Sequence, residues 1–326
     1  MDERSFSVIF FGTNTSYSTY PINQIIRSYP VTGIIESAPR VNPSGRFLYP
    51  ISVLFEQWFN PHSLYRFSRK HHIPYFFYPA DRTAQLIKFI RAHPADVGVV
   101  ASMNHLLPPD VLSLLPQGII NMHPSLLPDL RGPLVWPWYY YYNDQKAGVT
   151  IHFLDAGEDS GDIIRQEEFT IRSGLSSQTL IRQCTGLGTR LLLDSLEQVK
   201  NGACKPCKQP LKGNFRRARR LKKHENLFPY QTWNLEHCFH FLQGVKRWYD
   251  PFQWRQKSLG IVDWEAFTFS RQPIVPQKSG SFGLDWHGLY FKHPEGKIYL
   301  KLRVNILPIL WILLLIMAGL NILINH

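Results

Sequence analysis

Short apolar runs recur through the first 165 residues, separated by helix-length stretches, and this pattern most constrains the fold. Val8–Phe11, Val31–Ile35, Val97–Ala101 and Gly118–His123 are such runs, while Leu86–Ile90 belongs to an amphipathic helix. Strands that read as continuous apolar runs are buried on both faces, so the pattern predicts βαβ units around a mostly parallel sheet. Val8–Phe11 closes on Gly12, yet no G-x-G-x-x-G follows, which argues against a dinucleotide enzyme. Gly118–His123 differs from the other runs, because Asn121 and His123 place polar groups at its C-terminal end. In open α/β sheets, ligands bind beyond those ends.

The chain has 326 residues, 44% of them apolar, which is enough for one large domain and a smaller one and excludes a disordered chain. A net charge of +12 suits a polyanion such as RNA, an anionic membrane surface, or simply a solvated basic face. Four cysteines do not make a disulfide framework, so a reducing, cytoplasmic setting is expected. Met1-Asp2-Glu3-Arg4 leads directly into the first strand, with no secretory signal. From Ile306 to Leu320 no charged or strongly polar side chain occurs. Val304–Ile324 therefore reads as a membrane-spanning helix, for which about 20 residues suffice; a buried terminal helix or strand is the alternative. Lys297, Lys301 and Arg303 lie just upstream, which places the body on the cytoplasmic face of the membrane.

Between Lys205 and Lys223 stand nine basic residues and no acidic one. The expected organisation is a catalytic domain over 1–203, a basic linker over 204–229, a small β-rich domain over 230–303 and the tail over 304–326. Within the first domain, residues 38–67 form a long insertion rich in Pro, Arg and aromatics, expected to be a functional loop. Ser176-Ser177 caps an amphipathic helix that ends near Gly202. Strands are expected over Ile261–Phe269 and Gly288–Leu302, with turns at Ser279-Gly280 and Glu295-Gly296. Trp136, Trp138 and the run Tyr139–Tyr142 read as core. Cys204 and Cys207 read as free thiols, since the local cations oppose a metal and the spacing to Cys238 and His240 is irregular.

Asn121 and His123 are two apart, so their side chains share one face of a strand. With Asp159 they form a set that can hold an oxyanion and move a proton. Taken singly, Asn-x-His at a strand end is more often structural, and Asp159 in a Gly-rich turn is more often a turn former. A metal site from His123, His152 and Asp159 lacks supporting spacing, and none is expected.

The blocks NMHPSLLPDLRG and GVTIHFLDAGEDSGDII, in that order, resemble the 10-formyltetrahydrofolate-dependent formyltransferases over roughly residues 5 to 200. That resemblance implies a Rossmann-like formyltransferase fold, with a C-terminal domain matching the family's small barrel only loosely. It implies 10-formyltetrahydrofolate as donor and catalysis by Asn121, His123 and Asp159, with Asp159 raising the imidazole's pKa. It places folate against His105, Leu106 and Leu107 and against Leu154, Asp155, Ala156, Gly157 and Glu158. It places the acceptor near Ser125, Leu126, Leu127, Pro128, Arg131 and Gly132, with Arg40 and Arg46 on the insertion. Leu130 departs from the pattern, standing where an aromatic usually precedes Arg-Gly. The implied acceptor is methionyl-tRNA or, alternatively, a nucleotide-linked amino sugar; a non-catalytic, membrane-tethered binding protein is the alternative of another class.

Overall fold

The computed structural model describes residues 5–39, 57, 59–210, 212–222, 225–254, 262–272 and 279–304. The chain divides into two compact units. One takes residues up to 135, 146–170 and 181–220; the other takes 136–145, 171–180 and 221 onward.

In the first unit, β1 (Val8–Gly12), β2 (Val31–Ser37), β3 (Tyr75–Tyr78), β4 (Val97–Ala101) and β5 (Ile119–His123) pair in parallel. β6 (Lys146–Phe153) and β7 (Ile163–Thr170) extend the sheet antiparallel, giving the order β3-β2-β1-β4-β5-β6-β7. The sheet is therefore mixed, with a parallel majority. Crossovers include α1 (Ser16–Ile25), α2 (Leu64–His71), α3 (Thr83–Ala92) and the single-turn α4 (Pro109–Leu112). Every residue of β1, β4 and β5 is buried, as continuous apolar runs require.

On one side, Ile9, Phe11, Ile35, Leu86, Ile90, Leu115 and Ile119 form a continuous core with Leu107 and Val111. Each such side chain contributes about 1.5–3 kcal/mol by leaving water. Helix α6 (Ser177–Lys200) starts with Ser176 Oγ accepting from Thr179 N at 3.3 Å and ends before the left-handed Gly202. It approaches the sheet closely at Gly188, where a Cβ would lie 2.6 Å from Met122 Sδ.

The insertion expected as loop to residue 67 ends in helix. Ser63 Oγ accepts from Arg66 N at 3.1 Å and starts α2, and His72 in the left-handed region stops it. An N-cap followed by a basic last turn outweighs the Pro-rich text before it.

In the second unit, α5 (Trp136–Tyr141) buries Trp138, Tyr139 and Tyr140, while Tyr142 is exposed. β8 (Val262–Arg271), β9 (Phe282–Asp285), β10 (Gly288–His293) and β11 (Gly296–Val304) form an antiparallel sheet ordered β8-β11-β10-β9. Pro294 and Glu295 make the β10–β11 turn, which sets Phe291 opposite Ile298. A helix, α7 (Leu235–Val245), packs on β8 and β11, started by Asn234, whose side chain accepts from His237 N at 2.8 Å. The aromatic text that suggests only strands thus includes a helix whose apolar face (Cys238, Phe241, Leu242, Val245) is buried. Phe228 stacks on Phe241 at 5.7 Å, and Trp264 Nε1 donates to Asp250 at 2.9 Å.

Val304, expected to open the membrane tail, is the last residue of β11 and pairs with Val262. Among the described residues no helix is long and apolar enough to cross a membrane. Residues 305–326, and the expected strand start at Ile261, lie outside the described residues.

Candidate active site

β5 carries Asn121 and His123 to the C-terminal end of the parallel strands, and both side chains are buried. β6 sets His152 directly across from Asn121. His152 Nδ1 lies 2.8 Å from the Phe153 carbonyl, which can only accept. The proton is therefore on Nδ1, and Nε2 accepts from Asn121 Nδ2 at 3.0 Å. This fixes which end of the Asn121 amide faces the site: its N–H groups.

His123 is held in the same way. Its Nε2 donates to the Leu130 carbonyl at 3.0 Å, leaving Nδ1 turned toward Asp159 Oδ1 at 3.6 Å. That oxygen also lies 3.3 Å from Asn121 Nδ2 and 3.7 Å from His152 Nε2, so one carboxylate oxygen sits where three nitrogens converge. Asp159 Oδ2 accepts from the backbone N–H of Gly132 at 2.9 Å. Leu130 (φ 57°) and Asp159 (φ 52°) are both left-handed, a conformation that costs a residue other than glycine about 1–3 kcal/mol. Each thereby presents an acceptor to the same imidazole. Gly132, at φ 122°, has no room for a side chain: a Cβ there would lie 2.8 Å from the Ala218 carbonyl.

Burial lowers the His123 pKa, and the attraction of Asp159 only partly opposes it. Asp159 raises the imidazole as expected, but desolvation outweighs the ion pair and the net shift is downward. Burial works to raise the Asp159 carboxyl, but His123, His152 and the Gly132 N–H hold it well below the usual carboxylate range. With His123 pushed toward its neutral form, the fixed donors Gly132 and Asn121 act on that carboxylate at neutral pH.

The residues expected around the donor lie together in part. Leu107 is in the core cluster, and Leu154 packs against the same cluster. His105 Nε2 donates to the Ala38 carbonyl at 3.1 Å, and Leu106 is exposed. Asp155, Ala156 and Gly157 form an exposed turn in which Asp155 accepts from Gly157 N and Ser160 Oγ. Glu158 binds Arg217 Nε at 2.8 Å.

On the acceptor side, Ser125 and Leu127 are buried rather than presented to a substrate. Ser125 Oγ donates to the Asp129 carbonyl and Leu127 N to Thr150 Oγ1, so both shape the loop from within. Leu126 and Pro128 are half-buried. Arg131 binds Gln209, and Gly132 binds Asp159. Arg40 and Arg46 lie outside the described residues.

The segment rich in cations follows this loop closely. Cys207 bridges to Ile163, Arg217 to Arg131, and Leu130 N donates to the Arg216 carbonyl. Arg216 also pairs with Asp129. Sequence reasoning missed the parts played by Leu130, His152 and Gln209. Only His152 carried a signal, as a polar residue two positions from Thr150 inside an apolar strand.

Residues 64–196 match the family model described as Formyl transferase. That stretch, which holds Asn121, His123 and Asp159, is a formyl transferase domain. It is 29% identical over 203 residues to a methionyl-tRNA formyltransferase of Thermosynechococcus vestitus, covering 61% of this chain and 58% of that protein. It is 26% identical to the methionyl-tRNA formyltransferase of Roseiflexus castenholzii, over 79% of each. The chain spans between about two fifths and three fifths of the length of the first curated relatives it matches. Its fold resembles the N-formyltransferase of Helicobacter canadensis, solved with folinic acid and dTDP-3-aminofucose, at a TM-score of 0.61 and 15% identity. That likeness covers 92% of this chain and 100% of that one. The formyltransferase fold, with its mixed seven-stranded sheet and small separate antiparallel sheet, matches the expectation from sequence.

Proposed function

We propose that the chain transfers a formyl group from 10-formyltetrahydrofolate to a primary amine, and that this amine is the amino group of methionyl-tRNA. The convergence of Asn121, His123 and Asp159 on one point carries the reading. The amine nitrogen attacks the formyl carbon, and the carbonyl π pair moves onto oxygen. A formyl oxygen entering beside Asp159 Oδ1 shares the Asn121 N–H that points to that carboxylate and, once the imidazole is protonated, meets His123 Nδ1. Each donor of this kind is commonly worth about 3 kcal/mol in the transition state. Asp159, held ionised, accepts the proton from the attacking nitrogen. The carbon–N10 bond then breaks as the carbonyl re-forms, and N10 takes up the proton that Asp159 accepted, which releases tetrahydrofolate and restores the carboxylate.

The acceptor rests on the curated relatives, which are named methionyl-tRNA formyltransferases, and on the net charge of +12. A nucleotide-linked amino sugar is the second reading, favoured by the apolar run Ile306–Leu320. Envelope glycans are built at membranes, whereas tRNA is soluble. In either case the run attaches the C-terminal end to a membrane, with the body on its cytoplasmic face; flotation of full-length and 305-truncated protein with anionic liposomes tests this.

Incubating the protein and 10-formyltetrahydrofolate with methionyl initiator tRNA, or with a dTDP-amino sugar, decides the acceptor. Amine-dependent tetrahydrofolate release with the tRNA supports the first reading, and release with the sugar alone supports the second. Release without amine indicates hydrolysis, and no release leaves a binding protein.

A further inference from the structure

We propose that Gln209 is a positioning residue that latches the Asp159 loop to the Arg131-Gly132 loop and so keeps the carboxylate beside His123. The inference rests on the formyl-transfer reading for its meaning, though not for its geometry. Gln209 is buried, and both polar atoms of its side chain bond across this junction. Its Nε2 donates to the Asp159 carbonyl at 3.1 Å and to the Gly161 carbonyl at 2.6 Å. Its Oε1 accepts from Arg131 Nη2 at 2.6 Å and from Nε at 3.2 Å, and Arg131 Nη2 also reaches the Pro210 carbonyl at 3.3 Å.

Asp159 is thus held at both ends, by Gly132 N–H at the carboxylate and by Gln209 at the main chain. The residue needs such a hold because its left-handed backbone is costly, and strained residues persist only where their surroundings over-determine them. One glutamine amide satisfies one loop as donor and the other as acceptor, which neither a carboxylate nor an amine can do. The bridge Cys207–Ile163, two residues earlier, brings Gln209 to the junction.

Gln209→Leu keeps the volume and removes both functions, whereas Gln209→Glu keeps the acceptor for Arg131 and removes the donor. Both are compared with wild type by steady-state turnover and by nitrogen NMR titration of histidine-labelled protein, the His123 signal being assigned by its loss in His123→Gln. The charged and titratable groups acting on His123 are Asp159, His152 and Glu158, so its midpoint reports where the carboxylate stands.

The expected result is a kcat at least about tenfold lower with donor KM within about twofold, as small misplacements of a reacting group produce. The His123 midpoint should move from its wild-type value toward that of Asp159→Asn. A midpoint that stays at the wild-type value in the folded variants overturns the proposal. The titration needs no substrate, so if wild type formylates none of the amines, the functional reading fails while the latch is still judged.

Discussion

Two left-handed residues, Leu130 and Asp159, offer one acceptor to each ring nitrogen of His123. The imidazole is therefore oriented before any substrate arrives, and its site adds little reorganisation to the reaction. His123→Ala should lower kcat by at least about 10²-fold, measured as formyl transfer at saturating donor, as loss of an oxyanion donor does. Retained turnover would remove His123 from the chemistry.

Asp159→Asn keeps the shape and removes the charge, and should cost about 10²-fold or more, the usual contribution of a general base. It also carries a stability signature. The carboxyl of Asp159 is depressed in the folded state, so its stabilisation is present above the ordinary carboxylate pKa and is lost as pH falls toward the folded value. Urea unfolding of wild type and Asp159→Asn across that acid range should converge as pH drops, and a constant gap would contradict the shift. Asn121 and His123 were legible from sequence because a polar pair interrupts an otherwise apolar run at a strand end. The Leu130 carbonyl was not, since a backbone acceptor leaves no trace in side-chain text.

Among the elements, the loop 130–132 and the basic segment behind it behave as one piece of structure, joined through Leu130–Arg216 and Ala218–Arg131 backbone bonds. Gly132→Ala would impose a side chain at φ 122° and drive its Cβ against the Ala218 carbonyl. A loss of about 2 kcal/mol or more in chemical denaturation is expected, with reduced turnover, because the N–H that clamps Asp159 moves as well. Wild-type stability in that variant would show that the loop has room to give.

On α7, His240 accepts from Gly174 N at 3.0 Å, and burial lowers its pKa from 6.5 to about 4. Protons therefore bind the unfolded chain more readily: the stabilisation is complete above pH 6.5 and is lost as pH falls toward about 4. The difference is worth roughly 3 kcal/mol, and His240→Gln should flatten that part of the stability curve. The parallel strands and the capped helix at Ser177 could be read from run length and punctuation. α2 and α7 could not, because Pro-, Arg- and aromatic-rich text hides short amphipathic faces that only tertiary burial reveals.

For the whole molecule, composition bounded the answer without choosing it. A net charge of +12 is compatible with tRNA, with anionic lipid or with neither, and two of the cations between residues 205 and 220 pair within the fold: Arg216 with Asp129 and Arg217 with Glu158. The linker-like text of that segment reads as solvated because its partners are far away in sequence. Two ordered motif blocks were more informative than charge, since together they fix a strand end and the turn that faces it.

Formyl transfer through Asp159 is tested by tetrahydrofolate release from 10-formyltetrahydrofolate, measured with and without methionyl-tRNA for wild type and Asp159→Asn. Wild type should release it only when the amine is present, and Asp159→Asn should do so about 10²-fold or more slowly. Equal release by the two proteins would contradict it.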